Sequence, residues 1–100
     1  MLVERSELII KDGLEADFAA TMSERGIPLL SSVPGVNTVQ FGRGVENPGK
    51  FMLLVEWTAM DAHTAFKSNA VYPEFSQLLK PFVKAGAMEH FYVACRHAPP

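Results

Sequence analysis

Cysteine is almost missing from this chain. Cys95 is the one thiol in 100 residues, so no internal disulfide and no thiolate-based zinc or iron–sulfur site can form. That economy fits a reducing, cytoplasmic setting. Charge is sparse too: 9 Lys and Arg stand against 11 Asp and Glu, a formal net charge of −2. Such a balance offers little to a phosphate backbone and argues against a nucleic-acid partner. No apolar run approaches the roughly 20 residues that cross a bilayer, which argues against a membrane partner. The opening MLVERSELII carries charges inside its apolar stretch, unlike a secretory leader. The acidic residues are too scattered to name a carboxylate pair for acid–base work. No spacing of His, Cys, Asp or Glu marks a metal site, so no metal is expected.

What the chain does contain is apolar material, 48% of its residues. That is ample for a folded domain spanning residues 1–100. It also exceeds what the core of one small domain absorbs, because small domains bury a modest fraction of their surface. The surplus predicts self-association.

Residues Leu2 to Lys11 interleave Val3, Leu8, Ile9 and Ile10 with charge and predict a strand. Asp12 and Glu15 have capping-box spacing ahead of Leu14, Phe18 and Met22 at helical intervals. Gly26-Ile27-Pro28 predicts an interruption of that helix, because proline disfavours helical geometry in the residue before it. Val36 to Val45 alternates, with Val39 and Phe41 on one side and Thr38 and Gln40 on the other. A turn at Glu46-Asn47-Pro48-Gly49 joins it to the strand Lys50 to Trp57, and the pair makes a hairpin. Within the first of these strands, Gly42-Arg43-Gly44 is too short for a phosphate loop and suggests a bulge. Thr58 and Asp61 have capping spacing before a helix through Ala62 and Phe66. Tyr72-Pro73-Glu74 restarts helix, with Phe75, Leu78 and Leu79 along one face until Pro81. A last strand is expected from Met88 to Arg96.

The order β-α-β-β-α-β predicts an α+β, ferredoxin-like antiparallel sheet with its helices on one face. The other sheet face still carries apolar side chains from KFMLLVEW and FYVAC. A second copy of the chain is the simplest cover for it.

Several pieces are more specific when taken in order: Pro34-Gly35, the strand Phe51 to Trp57 running into a helix, Asp61-Ala62-His63, Phe66-Lys67-Ser68, Tyr72 with Phe75, and Glu89-His90-Phe91. From about Leu8 to Val93 the chain resembles the antibiotic biosynthesis monooxygenase (ABM) domain family. The resemblance implies a dimeric α+β barrel. It also implies a cofactor-independent monooxygenase acting with O2 on a small aromatic substrate such as a phenol, quinol or polyketide. The haem-degrading branch resembles this group in fold but ligates iron through a histidine late in the second helical region. Between Ser68 and Lys80 there are Tyr72, Phe75, Ser76 and Gln77 but no histidine, so haem degradation is disfavoured.

Six residues are candidates for the site, each with a plainer role beside it. His63, one turn into a helix, and His90, on the last strand, are the candidate bases, since imidazole titrates near neutral pH. Their plainer roles are a surface histidine and a hydrogen-bonded strand histidine. Trp57, Phe66, Tyr72 and Phe75 are the candidate substrate wall, with the Trp57 N–H and Tyr72 O–H as possible donors; otherwise they are packing residues. The second functional reading is a non-catalytic dimeric barrel that binds a small hydrophobic ligand or serves a stress-related role.

Overall fold

Alternation along two central strands decides what lies inside. The computed structural model describes residues 1–100. In β1 (Leu2–Ile10), every second residue from Leu2 through Glu4, Ser6 and Leu8 to Ile10 is buried. In β3 (Lys50–Trp57) the buried set is Phe51, Leu53, Val55 and Trp57. Successive side chains of a strand point to opposite faces, so each strand commits one face to the core. The two pair antiparallel with Leu2 opposite Trp57, Glu4 opposite Val55 and Ser6 opposite Leu53, which joins the two buried rows into one floor.

Outside them lie β2 (Val36–Arg43), paired to β3, and β4 (Val83–Tyr92), paired to β1, both antiparallel. The strand order β2-β3-β1-β4 is that of the ferredoxin-like split arrangement, as the element order predicts. The helical segments are α1 (Glu15–Thr21), a π-helical turn (Met22–Gly26), α2 (Ile27–Ser31), α3 (Met60–Phe66) and α4 (Val71–Leu79). Phe18 of α1 is fully buried, with ring centroids 5.0 Å from Phe51 and 5.8 Å from Phe41. Burying a phenyl ring this way stabilises by roughly 2–3 kcal/mol and pins α1 to the floor. No helix is long and apolar enough to cross a membrane.

Local punctuation differs from the sequence reading in instructive ways. Neither capping pattern is used. Leu14 and Ala59 occupy the N-cap positions without a side-chain hydrogen bond. Thr58 instead donates its hydroxyl to the Gly35 carbonyl at 3.1 Å, tying the β3–α3 junction to the turn before β2. Gly35 has φ +90°, and a Cβ there would stand 2.4 Å from the Ala62 Cβ, so α3 can sit this close only against glycine. Pro28 does not break the helix; the wide π-helical turn before it absorbs the missing N–H, and α2 continues directly. The expected bulge at Gly42 is absent, since Gly42 pairs with Met52 in regular register; the irregularity falls between Val36 and Thr38. The last strand begins at Val83 and ends at Tyr92, earlier at both ends than expected, because Ala85 and Gly86 find partners on β1 despite their weak strand preference.

The outer face is mixed rather than uniformly apolar. Val3, Met52, Leu54 and Phe91 share it with Arg5, Glu7, Lys50 and Glu89. Arg5 lies 3.3 Å from Glu89, and Lys50 lies 3.7 Å from Glu7.

Candidate active site

The strand register that builds the floor also places an acid in it. Glu4 stands directly opposite His90 of β4, so their side chains rise side by side on the helix-covered face. His63 descends from α3 onto the same spot. Its Nε2 lies 3.1 Å from Glu4 Oε1 and 3.3 Å from His90 Nε2. Glu4 and His63 are both buried, and His90 is half-buried.

A buried carboxylate needs donors, and Glu4 has them. The Trp57 indole N–H donates to Oε1 at 3.0 Å and the Ser6 hydroxyl donates to Oε2 at 3.2 Å. With Glu4 ionised, its Oε1 only accepts, so the close His63 Nε2 is the nitrogen that carries a proton. Donated to Glu4, that proton leaves the His90 Nε2 lone pair as the free acceptor of the pair. Burial pushes the His63 imidazole below its ordinary value of 6.5. Glu4 pulls in the opposite direction, and His90 and Lys67 push further down.

These groups stand at the wall of a cavity of about 380 Å³ between the helices and the sheet. Leu8, Leu30, Leu53, Phe66, Phe75, Leu79 and Met88 make it largely apolar, while Glu4, Ser6, His63, Lys67, Tyr72, Ser76 and His90 supply its polar groups. A cavity of this size, largely apolar with polar groups converging on one wall, has the character of a small-molecule site. Tyr72 packs edge-on to Phe66, with ring centroids 5.2 Å apart.

Of the six residues singled out from sequence, five line this cavity: His63, His90, Phe66, Tyr72 and Phe75. Trp57 does not. It is fully buried beneath the site, and its N–H is committed to Glu4, so it supports the carboxylate rather than walling a substrate. Glu4 escaped the sequence reading, although a signal existed: it shares the parity of Leu2, Leu8 and Ile10, the buried set of β1. The sequence also shows no metal-ligand spacing, yet the fold gathers Glu4, His63 and His90 into a group of three donors whose ligand atoms lie within 4.8 Å of one another.

The antibiotic biosynthesis monooxygenase family matches residues 1–78 of this chain. The chain belongs to that family. YczJ of Bacillus subtilis (strain 168), itself uncharacterized, is 33% identical over 93 residues, covering 91% of this chain and 97% of its own. Among solved structures, a candidate antibiotic biosynthesis monooxygenase from Bordetella bronchiseptica superposes with a TM-score of 0.83. It is 26% identical and covers 94% of this chain and 97% of its own. A variant of SnoaB, a cofactor-independent oxygenase from Streptomyces nogalater, reaches a TM-score of 0.81 at 14% identity, over 95% of this chain and 94% of its own. At that identity the likeness to SnoaB concerns the ABM fold alone.

Proposed function

We propose that this ABM-family protein is a monooxygenase that oxidises a small phenol or quinol with O2 in the cavity beneath α3 and α4, without a cofactor. The observation that carries this reading is the His63–His90 pair, backed by Glu4, at the wall of an apolar cavity. Triplet O2 reacts poorly with closed-shell molecules, so the substrate must first become electron-rich. His90 Nε2 accepts the phenolic proton, and the positive charge that arrives on the pair is balanced by Glu4. The phenolate passes one electron to O2, and the resulting radicals combine into a C–O bond as a substrate peroxide. Loss of the remaining hydrogen on that carbon with cleavage of the O–O bond leaves a carbonyl, as in a quinone, and releases the second oxygen as water. Phe66 and Phe75 hold the ring, and Tyr72 is available to donate its hydroxyl to a substrate carbonyl.

Oxygen uptake tests the reading. Anthrone-like or hydroquinone substrates should drive consumption of one O2 per product at a rate well above a heat-inactivated control. Saturable binding of such a molecule without any oxygen uptake would instead favour a ligand-binding barrel.

The same reading includes a homodimer. Leu54, Val3 and Val93 on the outer face border a cavity of about 260 Å³ with Thr38, Gln40 and Cys95, a surface that a second copy would cover.

A further inference from the structure

We propose that Glu4, His63 and His90 form a binding site for one divalent transition-metal ion of the zinc, cobalt or iron class. Metal–nitrogen and metal–oxygen bonds of about 2.1 Å put neighbouring donor atoms about 3.0 Å apart at a right angle and about 3.4 Å apart at the tetrahedral angle. His63 Nε2 stands 3.1 Å from Glu4 Oε1 and 3.3 Å from His90 Nε2, inside that range. The third edge, between Glu4 and His90, is no longer than 4.8 Å and has to come to about 3.4 Å or less when all three donors share one ion.

Two imidazoles and one carboxylate are a donor set suited to these ions, and they supply one negative charge at the wall of a largely apolar cavity. Outer support is already in place. Trp57 and Ser6 hydrogen-bond the two oxygens of Glu4, and a carboxylate oxygen has a second lone pair with which to ligate. The open side of the three donors faces the apolar cavity, so the remaining positions on the ion are left to water or to a ligand. On binding, the His63 proton moves from Nε2 to Nδ1, and the Nε2 lone pairs of both rings go to the metal.

The binding claim stands apart from the oxidation reading; only its consequence for activity rests on that reading. A redox-silent ion such as Zn2+ occupies the lone pair that would accept the phenolic proton, so the loaded protein should lose the base and regain it with a chelator.

The test uses the full chain and Co2+ alone, followed by its absorption spectrum and by calorimetry. The expected result is one ion per chain in the micromolar range, with visible bands of low-coordinate cobalt. Binding should weaken more than tenfold in both His90→Ala and Glu4→Gln. His97→Ala, which alters the exposed tail, should bind as the parent does. No stoichiometric binding, unchanged binding in His90→Ala, or loss of binding in His97→Ala would each overturn the site. Oxygen uptake by the chelated, metal-free chain separately tests the oxidation reading, so the two can fail independently.

Discussion

His63 and His90 meet Nε2 to Nε2 at 3.3 Å although 27 positions separate them and one sits on a helix, the other on an edge strand. Their ring centroids are 4.4 Å apart at 65°, an edge-on contact that leaves one flank of the pair open to the cavity. Only one proton fits on the line joining two such nitrogens, so His90 can take a proton at Nε2 only while the His63 N–H is directed at Glu4.

If the pair removes the phenolic proton, replacing His90 by Ala should lower the rate of oxygen uptake by about 10²-fold or more, the usual scale for losing a general base. His63→Ala should fall by a comparable amount, because the ring that holds the proton against Glu4 is gone. An oxygen electrode with a hydroquinone substrate reads both. Parent-like rates in the two variants together would remove the base from the mechanism.

Acid should destabilise the fold through His63. Burial lowers its affinity for protons in the folded state, with Glu4 opposing and His90 and Lys67 reinforcing the shift. The unfolded chain thus binds more protons at this position. Its contribution to stability is complete above about pH 6.5 and is lost as pH falls below that value toward the lower folded pKa. Thermal melts stepped downward from about pH 7 should show a falling Tm in the parent and a shallower fall in His63→Gln. Equal slopes in the two proteins would contradict the sign.

Glu4→Ala should destabilise the protein by about 1–3 kcal/mol, because it leaves the buried Trp57 N–H without an acceptor. For a domain of this size that is a loss of several degrees in Tm. Glu4→Gln retains one acceptor oxygen and should cost less. A Tm that rises in Glu4→Ala would mean that burying the charge outweighs its hydrogen bonds.

Dimerisation can be separated from folding by two neighbouring leucines. Leu54 looks outward and Leu53 is buried against the helices. Light scattering of the parent should give about twice 11.0 kDa. Leu54→Asp should give a folded monomer, whereas Leu53→Asp should lose cooperative unfolding, since an unpaired charge would enter the core. A parent that scatters as a monomer at micromolar concentration would dispose of the dimer.

Much of this architecture was legible in the chain itself. Apolar residues interleaved with charge in β1, period-two alternation in β2, helical spacing around Phe18 and Phe75, and the turn at Asn47-Pro48-Gly49 are local patterns, and local patterns survive without knowledge of distant neighbours. His63, His90, Phe66, Tyr72 and Phe75 could be named from their residue types and order. The parity of Lys50 to Trp57 could not be read, because apolar residues occupy both of its faces and a slip of one residue exchanges them. Nor could Glu4 be told from a surface acid. It became the centre of the site when β1 took the middle of the sheet, with Val55 on one side and His90 on the other, and when Gly35 let α3 approach closely enough to bring His63 down. Sequence by itself determined the elements and their order, since those depend on short-range geometry. Tertiary structure alone decided that an acid, two imidazoles and an indole from β1, β3, α3 and β4 share a few ångströms of buried space, because strand register and helix approach are set by contacts far apart along the chain.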